Sequence, residues 1–195
     1  LLDIALIGSG SAPRSMFGGF VALHVSGGEV HCEQILEQAD WPLEIAVGVT
    51  TEQAKSVTSR DGMEQSRLTS PYYEPWIASH DADLQQALRF VDDRDFAGLA
   101  ELSEFNCLKM HSVMLTTRPP LIYWSPSTLA CMHAVRDLRA RGTGVFFTVD
   151  AGPQVKAICE PGCGETVAAA LREVPGVVRV ITGGLGGDVR VAADA

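Results

Sequence analysis

Three segments of the chain combine residue types that can hold and activate a small anion. The first is Gly8-Ser9-Gly10-Ser11-Ala12-Pro13-Arg14-Ser15. Its glycines let consecutive backbone N–H groups turn toward one anion, and its serine hydroxyls add neutral donors. A helix starting behind the loop would add the positive end of its dipole. Arg14 supplies a planar fork matched to a carboxylate or phosphate. Each charge-assisted hydrogen bond of this kind contributes about 1.5–3 kcal/mol. The same residues also suit a flexible turn with a surface arginine.

The second segment is Thr58-Ser59-Arg60-Asp61-Gly62-Met63, with Arg67 and Thr69-Ser70 behind it. It repeats the pairing of hydroxyls with arginine, and it also suits a solvated helix start capped by Ser or Thr. The third is Phe147-Thr148-Val149-Asp150-Ala151-Gly152-Pro153. Asp150 ends an apolar strand just before a Gly-Pro turn, where a carboxylate can act as a base or orient a hydroxyl. An Asp that bonds its own turn fits the same pattern.

Other chemistry finds less support. Cys159 and Cys163 have metal-ligand spacing but no second Cys/His pair, and the five histidines are scattered, so no metal site is expected. Gly183-Gly184-Leu185-Gly186-Gly187 lacks the Lys-Ser/Thr of a phosphate loop and reads as a turn between strands. Ser11 with His24 or His111 and Asp150 has the residue types of a hydrolase triad, but there is no G-x-S-x-G elbow.

These segments need elements to position them. Alternation predicts strands over 20–25 and 44–49, and apolar runs predict strands over 144–149, 155–159 and 177–182. Residues 29–39 read as short and mostly polar, and 50–73 as part helix, part loop. Helical spacing predicts helices over 81–91 and 95–111, the second with Leu99, Leu102, Phe105 and Leu108 in register. Pro119-Pro120 breaks the chain. Ser127 is placed as the cap of a helix reaching 139, with Leu129, Met132, Val135 and Leu138 inward. A last helix is expected over 165–173 and a last strand over 189–192. Strands and helices mix without strict βαβ alternation, so the class is α+β.

Composition bounds the rest. The 195 residues suit one domain, or one domain plus a fragment. Fifteen basic and 24 acidic residues give a net charge of −9, which argues against a general nucleic-acid binder but not against a small anionic substrate. No run approaches membrane-spanning length, so no membrane partner is expected. Five cysteines, an odd number, read as reduced thiols in a cytoplasmic protein. The chain opens Leu1-Leu2-Asp3 rather than with Met, and an N-terminal part is expected to precede it.

Taken together and in this order, the segments resemble the C-terminal portion of the diphosphomevalonate decarboxylases, a family of the GHMP kinase superfamily. The resemblance rests on Ser9 to Ser15 followed by Met16-Phe17-Gly18-Gly19-Phe20, and on Ser59-Arg60 with Gly62-Met63 and Thr69-Ser70. Asp95-Phe96, the Glu101, Asn106 and His111 helix, Pro119-Pro120 and Thr148 to Pro153 complete it. It runs through about residues 5–160.

It implies a GHMP-kinase-like two-layer α+β fold lacking most of the N-terminal ATP-binding half. Residues 1–30 would end the N-terminal domain and 31–195 would form the C-terminal one. The implied reaction phosphorylates the tertiary 3-hydroxyl of mevalonate 5-diphosphate with ATP and Mg2+, then releases phosphate and CO2 to give isopentenyl diphosphate. By resemblance Asp150 faces that hydroxyl and Arg14 holds the substrate carboxylate. Ser9, Gly10, Ser11, Ser59 and Arg60 surround the phosphates and carboxylate. The ATP loop is expected upstream of Leu1, and a homodimer is implied.

The chain departs from the family at Pro13, where many members have Cys, and over 183–187. Three alternatives stay open: a decarboxylase of the monophosphate, a mevalonate 3-kinase, or a non-catalytic anion-binding domain. Asp150 with Arg14 favours a decarboxylase over the 3-kinase, and Arg60 beside Ser59 favours the diphosphate.

Overall fold

The computed structural model describes residues 5, 7, 11–27, 29–53 and 57–190. A 3-10 turn, Ala12–Met16, leads into β1 (Phe20–Ser26), which pairs antiparallel with β2 (Glu29–Leu36). β2 is a strand where a short polar stretch is expected. It has the alternation of a half-exposed hairpin arm, with Cys32 buried and His31 and Glu33 outward. Gly27, at φ +61°, turns the hairpin, a backbone region in which glycine carries no Cβ penalty.

The main sheet has four antiparallel strands in the order β4-β5-β3-β6. They are β3 (Glu44–Val49), β4 (Val145–Thr148), β5 (Val155–Cys159) and β6 (Arg179–Gly184). Gly183 and Gly184 therefore belong to a strand, paired with Ile45 and Glu44, and not to a turn. Val189 and Arg190 lie outside any strand, and the rest of the strand expected there falls outside the described residues.

Five α-helices complete the fold among the described residues. They are α1 (Ser59–Thr69), α2 (Tyr73–Asp92), α3 (Phe96–Leu115), α4 (Pro126–Ala140) and α5 (Gly164–Arg172). The mixture of antiparallel sheet and helices is the α+β class expected. α2 begins eight residues before the predicted helix, with Tyr73 and Trp76 half-buried in its first turns.

α4 is capped by Ser125, not Ser127. Ser125 accepts from the Thr128 N–H while Thr128 accepts from the Ser125 N–H, a reciprocal capping box, and Pro126 occupies the first helical position. Ser127 instead donates to the Pro175 carbonyl. Met132, Val135 and Leu138 face inward as predicted, but Leu129 is exposed.

Adjacent side chains of β4 serve two cores. Val145 and Phe147 pack with Met132 and Val135 of α4 and with Val167 and Leu171 of α5. Phe146 packs with Trp41, Leu43, Val91 and Leu99. Burial on both faces explains why the strand reads as an unbroken apolar run. All five cysteines are free thiols, as expected. Burial pushes Cys131 up to about 11 and Cys159 up to about 12, so both stay protonated at neutral pH.

Candidate active site

Asp150 lies two residues beyond the end of β4, at an edge of the main sheet. An edge strand has backbone groups with no neighbouring strand to bond. Here side chains of α3 take that role. Glu104 Oε1 accepts from the Phe147 N–H at 3.2 Å. Cys107 Sγ accepts from the Val149 N–H at 3.3 Å and lies 3.4 Å from the Val149 carbonyl. His111 Nε2 lies 3.0 Å from the same carbonyl. Residues 104, 107 and 111 lie along one helical face, so one side of α3 follows the strand edge.

Each member of this row is itself supported. Glu104 is buried and meets the fork of Arg139 with two bonds, at 2.6 and 3.0 Å. That pairing raises the Arg139 pKa, chiefly through the hydrogen bond to Glu104. Burial raises Cys107 and so favours the thiol, which can donate as well as accept. His111 is 2% exposed, and Trp124 Nε1 lies 3.2 Å from its Nε2. Burial lowers the His111 pKa, against the Val149 and Asp150 backbone groups, which raise it.

The turn beyond Asp150 is held from the other side. Thr128 Oγ1 and Thr50 Oγ1 donate to the Pro153 carbonyl at 2.8 and 3.2 Å. Gln154 accepts from the Thr50 N–H and donates to the Thr51 carbonyl. Gly152 N–H closes onto the Asp150 carbonyl at 2.6 Å. The Asp150 side chain projects from this fixed backbone, 78% exposed, with Lys156 Nζ 2.5 Å from Oδ2. Lys156 reaches it because it pairs in register with Thr148 across β4 and β5. Beside Asp150 is a cavity of about 340 Å3, lined in part by His80, Asp83, Asn106 and Thr148. Asp83 there accepts from Asn106 and Lys109.

The other candidates lie on different elements. Ser9 and Gly10 fall outside the described residues. Ser11 precedes the 3-10 turn, and Arg14 is exposed within it. This loop is tied down behind Arg14: Gly19 N–H donates to the Gly186 carbonyl, Gly18 N–H to Asp188 Oδ1, and Val189 N–H to the Met16 carbonyl. A Cβ on Gly18 would come within 2.8 Å of the Gly186 and Gly187 backbone, so the close approach requires glycine.

Ser59 and Arg60 form the first turn of α1, capped by Thr58, which accepts from the Asp61 N–H. α1 is joined to the end of α3 by hydroxyl pairs, Ser66 with Thr117 and Ser70 with Thr116. Thr69 Oγ1 accepts from the Arg118 N–H. The Thr69 and Ser70 hydroxyls of the second segment are thus engaged in structure.

Ser11, Arg14, Ser59 and Arg60 do not line the cavity beside Asp150, and the ion-pair partner of Asp150 is Lys156, not Arg14. Composition and periodicity missed Lys156, Cys107, Thr128 and Gln154. Only the strand register over 155–159 signals Lys156, and nothing local signals the others.

Residues 45–178 match the model of the mevalonate 5-diphosphate decarboxylase C-terminal domain. The chain belongs to this family. It is 30% identical over 184 residues to the diphosphomevalonate decarboxylase of Aspergillus fumigatus, covering 90% of this chain and 46% of that protein. Among solved structures it is similar to mevalonate diphosphate decarboxylase from Staphylococcus aureus, with a TM-score of 0.85 and 31% identity over 96% of this chain and 58% of that one. It is also similar to a structure described as MDDEF in complex with MVAPP, AMPPCP and magnesium. That match has a TM-score of 0.83 and 34% identity, over 95% of this chain and 58% of the other. The chain therefore spans about half the length of these decarboxylases. The fold is the GHMP-kinase-like one expected. Among the described residues no helix is long and apolar enough to cross a membrane.

Proposed function

We propose that this segment belongs to an enzyme that decarboxylates mevalonate 5-diphosphate at the expense of ATP, forming isopentenyl diphosphate, ADP, phosphate and CO2. The observation that carries this reading is Asp150. It is an exposed carboxylate at a strand end, its backbone fixed on both sides and a cavity beside it, within the region matched to the family.

In this reading Asp150 takes the proton of the tertiary hydroxyl as its oxygen attacks the γ-phosphorus of ATP, and the bond from that phosphorus to the bridging oxygen breaks, its electron pair leaving with ADP. The carbon–oxygen bond of the phosphorylated intermediate then breaks, and its electron pair leaves with phosphate. The adjacent carbon–carboxylate bond breaks in turn, supplying the pair that forms the double bond and releasing CO2. A fixed carboxylate stabilises the positive charge that develops at the tertiary carbon. Arg14 holds the substrate carboxylate without binding it so tightly that CO2 cannot leave. Ser9, Gly10, Ser11, Ser59 and Arg60 receive the diphosphate and carboxylate. Mg2+ enters with ATP, on its phosphate oxygens.

Residues 1–30 are assigned to the end of an N-terminal domain and 31–195 to a C-terminal one, a division that falls inside the β1–β2 hairpin. A cytoplasmic homodimer completes the reading.

The test is ATP-dependent CO2 release by the protein from mevalonate 5-diphosphate and from the 5-monophosphate. Release from the diphosphate is expected. Release from the monophosphate alone would move the protein to a sister reaction. ADP without CO2 would make it a 3-kinase, and no ADP at all would make it a binding domain.

A further inference from the structure

His111 lies under the polypeptide that carries Asp150 and has no part in the reaction proposed above. It is nine-tenths buried or more, and a buried imidazole with unmet polar atoms is costly. Its ring packs against Trp124, with centroids 4.5 Å apart. Its Nε2 stands between two groups with opposite needs. The Val149 carbonyl at 3.0 Å needs a donor, while the Trp124 N–H at 3.2 Å needs a lone pair. One ring nitrogen cannot serve both. The shorter contact lies on the main chain one residue before Asp150.

We propose that His111 is a positioning residue for Asp150, donating from Nε2–H to the Val149 carbonyl and so fixing where β4 ends. The geometry favours this over a packing role for three reasons. Cys107 meets the Val149 N–H and reaches the Val149 carbonyl only through a weak thiol contact at 3.4 Å, so the His111 contact at 3.0 Å is the stronger hold on that carbonyl. Thr128 and Thr50 hold the Pro153 carbonyl, so the turn is fixed at its far end and needs a matching hold at its near end. Between those two holds the Asp150 side chain is oriented, among the described residues, by an exposed ion pair with Lys156, and such pairs hold weakly. The backbone must therefore supply the precision, and a displacement of about 1 Å at a reacting group costs about 100-fold in rate.

The inference rests on the decarboxylase reading for its kinetic readout, and its hydrogen bond can be read without turnover. His111→Leu and His111→Gln are made in the protein. Gln places its amide nitrogen near the position of Nε2 and keeps the donor. The Leu variant is expected to lose about 100-fold in kcat with KM changed by less than about threefold. The Gln variant should recover most of that loss. Equal kcat losses in both variants, or a melting-point drop in Leu with kcat unchanged, would overturn the proposal.

On the same proteins, 15N shifts of the His111 ring should show the proton on Nε2. Amide exchange of Gly152 should rise in the Leu variant and not in the Gln variant. A ring protonated on Nδ1, or exchange at Gly152 that Leu leaves unaltered, would overturn it. If the unsubstituted protein releases no CO2, the decarboxylase reading fails, and these two measurements still decide the role of His111.

Discussion

Asp150 and Arg14 carry opposite charges toward one proposed substrate, yet the fold treats them differently. Asp150 is exposed, but the peptides around it are bonded from α3 on one side and from Thr128, Thr50 and Gln154 on the other. Arg14 sits on a short 3-10 turn with an exposed side chain, tied behind itself, among the described residues, through Met16, Gly18 and Gly19 to residues 186–189. One half of the site is thus built into the core of this segment. In the proposed reading, the other half is a loop whose side chain would take its place from the ligand. A group that must accept a proton from a defined atom needs the first arrangement. A group that must grip a carboxylate and then release it as CO2 tolerates the second.

This contrast can be broken at several points. The largest effect is expected from Asp150→Asn, which should lower kcat by about 1,000-fold or more while substrate still binds. Its melting point should change little, because the lost ion pair with Lys156 is solvent-exposed. A near-normal rate would remove Asp150 from the chemistry.

The next effect is on stability alone. Glu104→Ala leaves the Phe147 N–H unpaired beside β4 and Arg139 without its carboxylate partner. Denaturant unfolding should show a loss of about 3 kcal/mol. Arg14→Ala, measured in parallel, should show almost none. Equal losses would mean that the two halves are not held differently.

A smaller change is expected from Arg14→Lys, where a planar fork becomes a point charge. About a tenfold drop in kcat/KM corresponds to one hydrogen bond lost from the carboxylate grip. An unchanged kcat/KM would show that Arg14 acts by charge alone.

The smallest effect is a pH slope. Burial holds His111 below its ordinary value of 6.5, while Asp150 pulls it up and Lys156 pushes it down. The unfolded chain therefore binds a proton that the folded chain refuses. The resulting stability is fully present above pH 6.5 and is lost as the pH falls from there toward the lowered folded value. Urea unfolding at about pH 7.5 and about pH 5.5 should show a smaller pH-dependent loss in His111→Gln than in the parent. Identical losses would mean that His111 titrates alike in both states.

The sequence announces parts of this arrangement and conceals others, for identifiable reasons. β3 has the limits that alternation predicts, β5 has those predicted for it, and β4 differs from its prediction by one residue at each end, because apolar residues mark their buried faces. α3 is where periodicity misleads. It places Leu99, Leu102, Phe105 and Leu108 on one stripe, yet Phe105 is 55% exposed. The buried side of the helix runs through Glu104, Cys107 and His111. Two of these are polar and buried only because a strand edge needs their hydrogen bonds, which no count of apolar residues reveals.

Asp150 was legible because an acidic residue at the end of an apolar run is conspicuous, and Arg14 because of the glycines and serines around it. The support of Asp150 was not, because Thr50 and Thr128 reach the Pro153 carbonyl from distant parts of the chain.

The row of side chains along β4 also bears on how such molecules stick to one another. A bare strand edge is a template onto which a foreign strand can add. At β4 that template is occupied by Glu104, Cys107 and His111, so an incoming strand would first have to lift a helix away. The opposite margin of the sheet is different. Nearly all of β6 is exposed, its tip is Gly183-Gly184, and Arg179 is its one charge. Misassembly of this segment, when it comes, should begin on the β6 side. A second charge in place of Ile181, 45% exposed on that strand, is the change that would keep solutions of it clear.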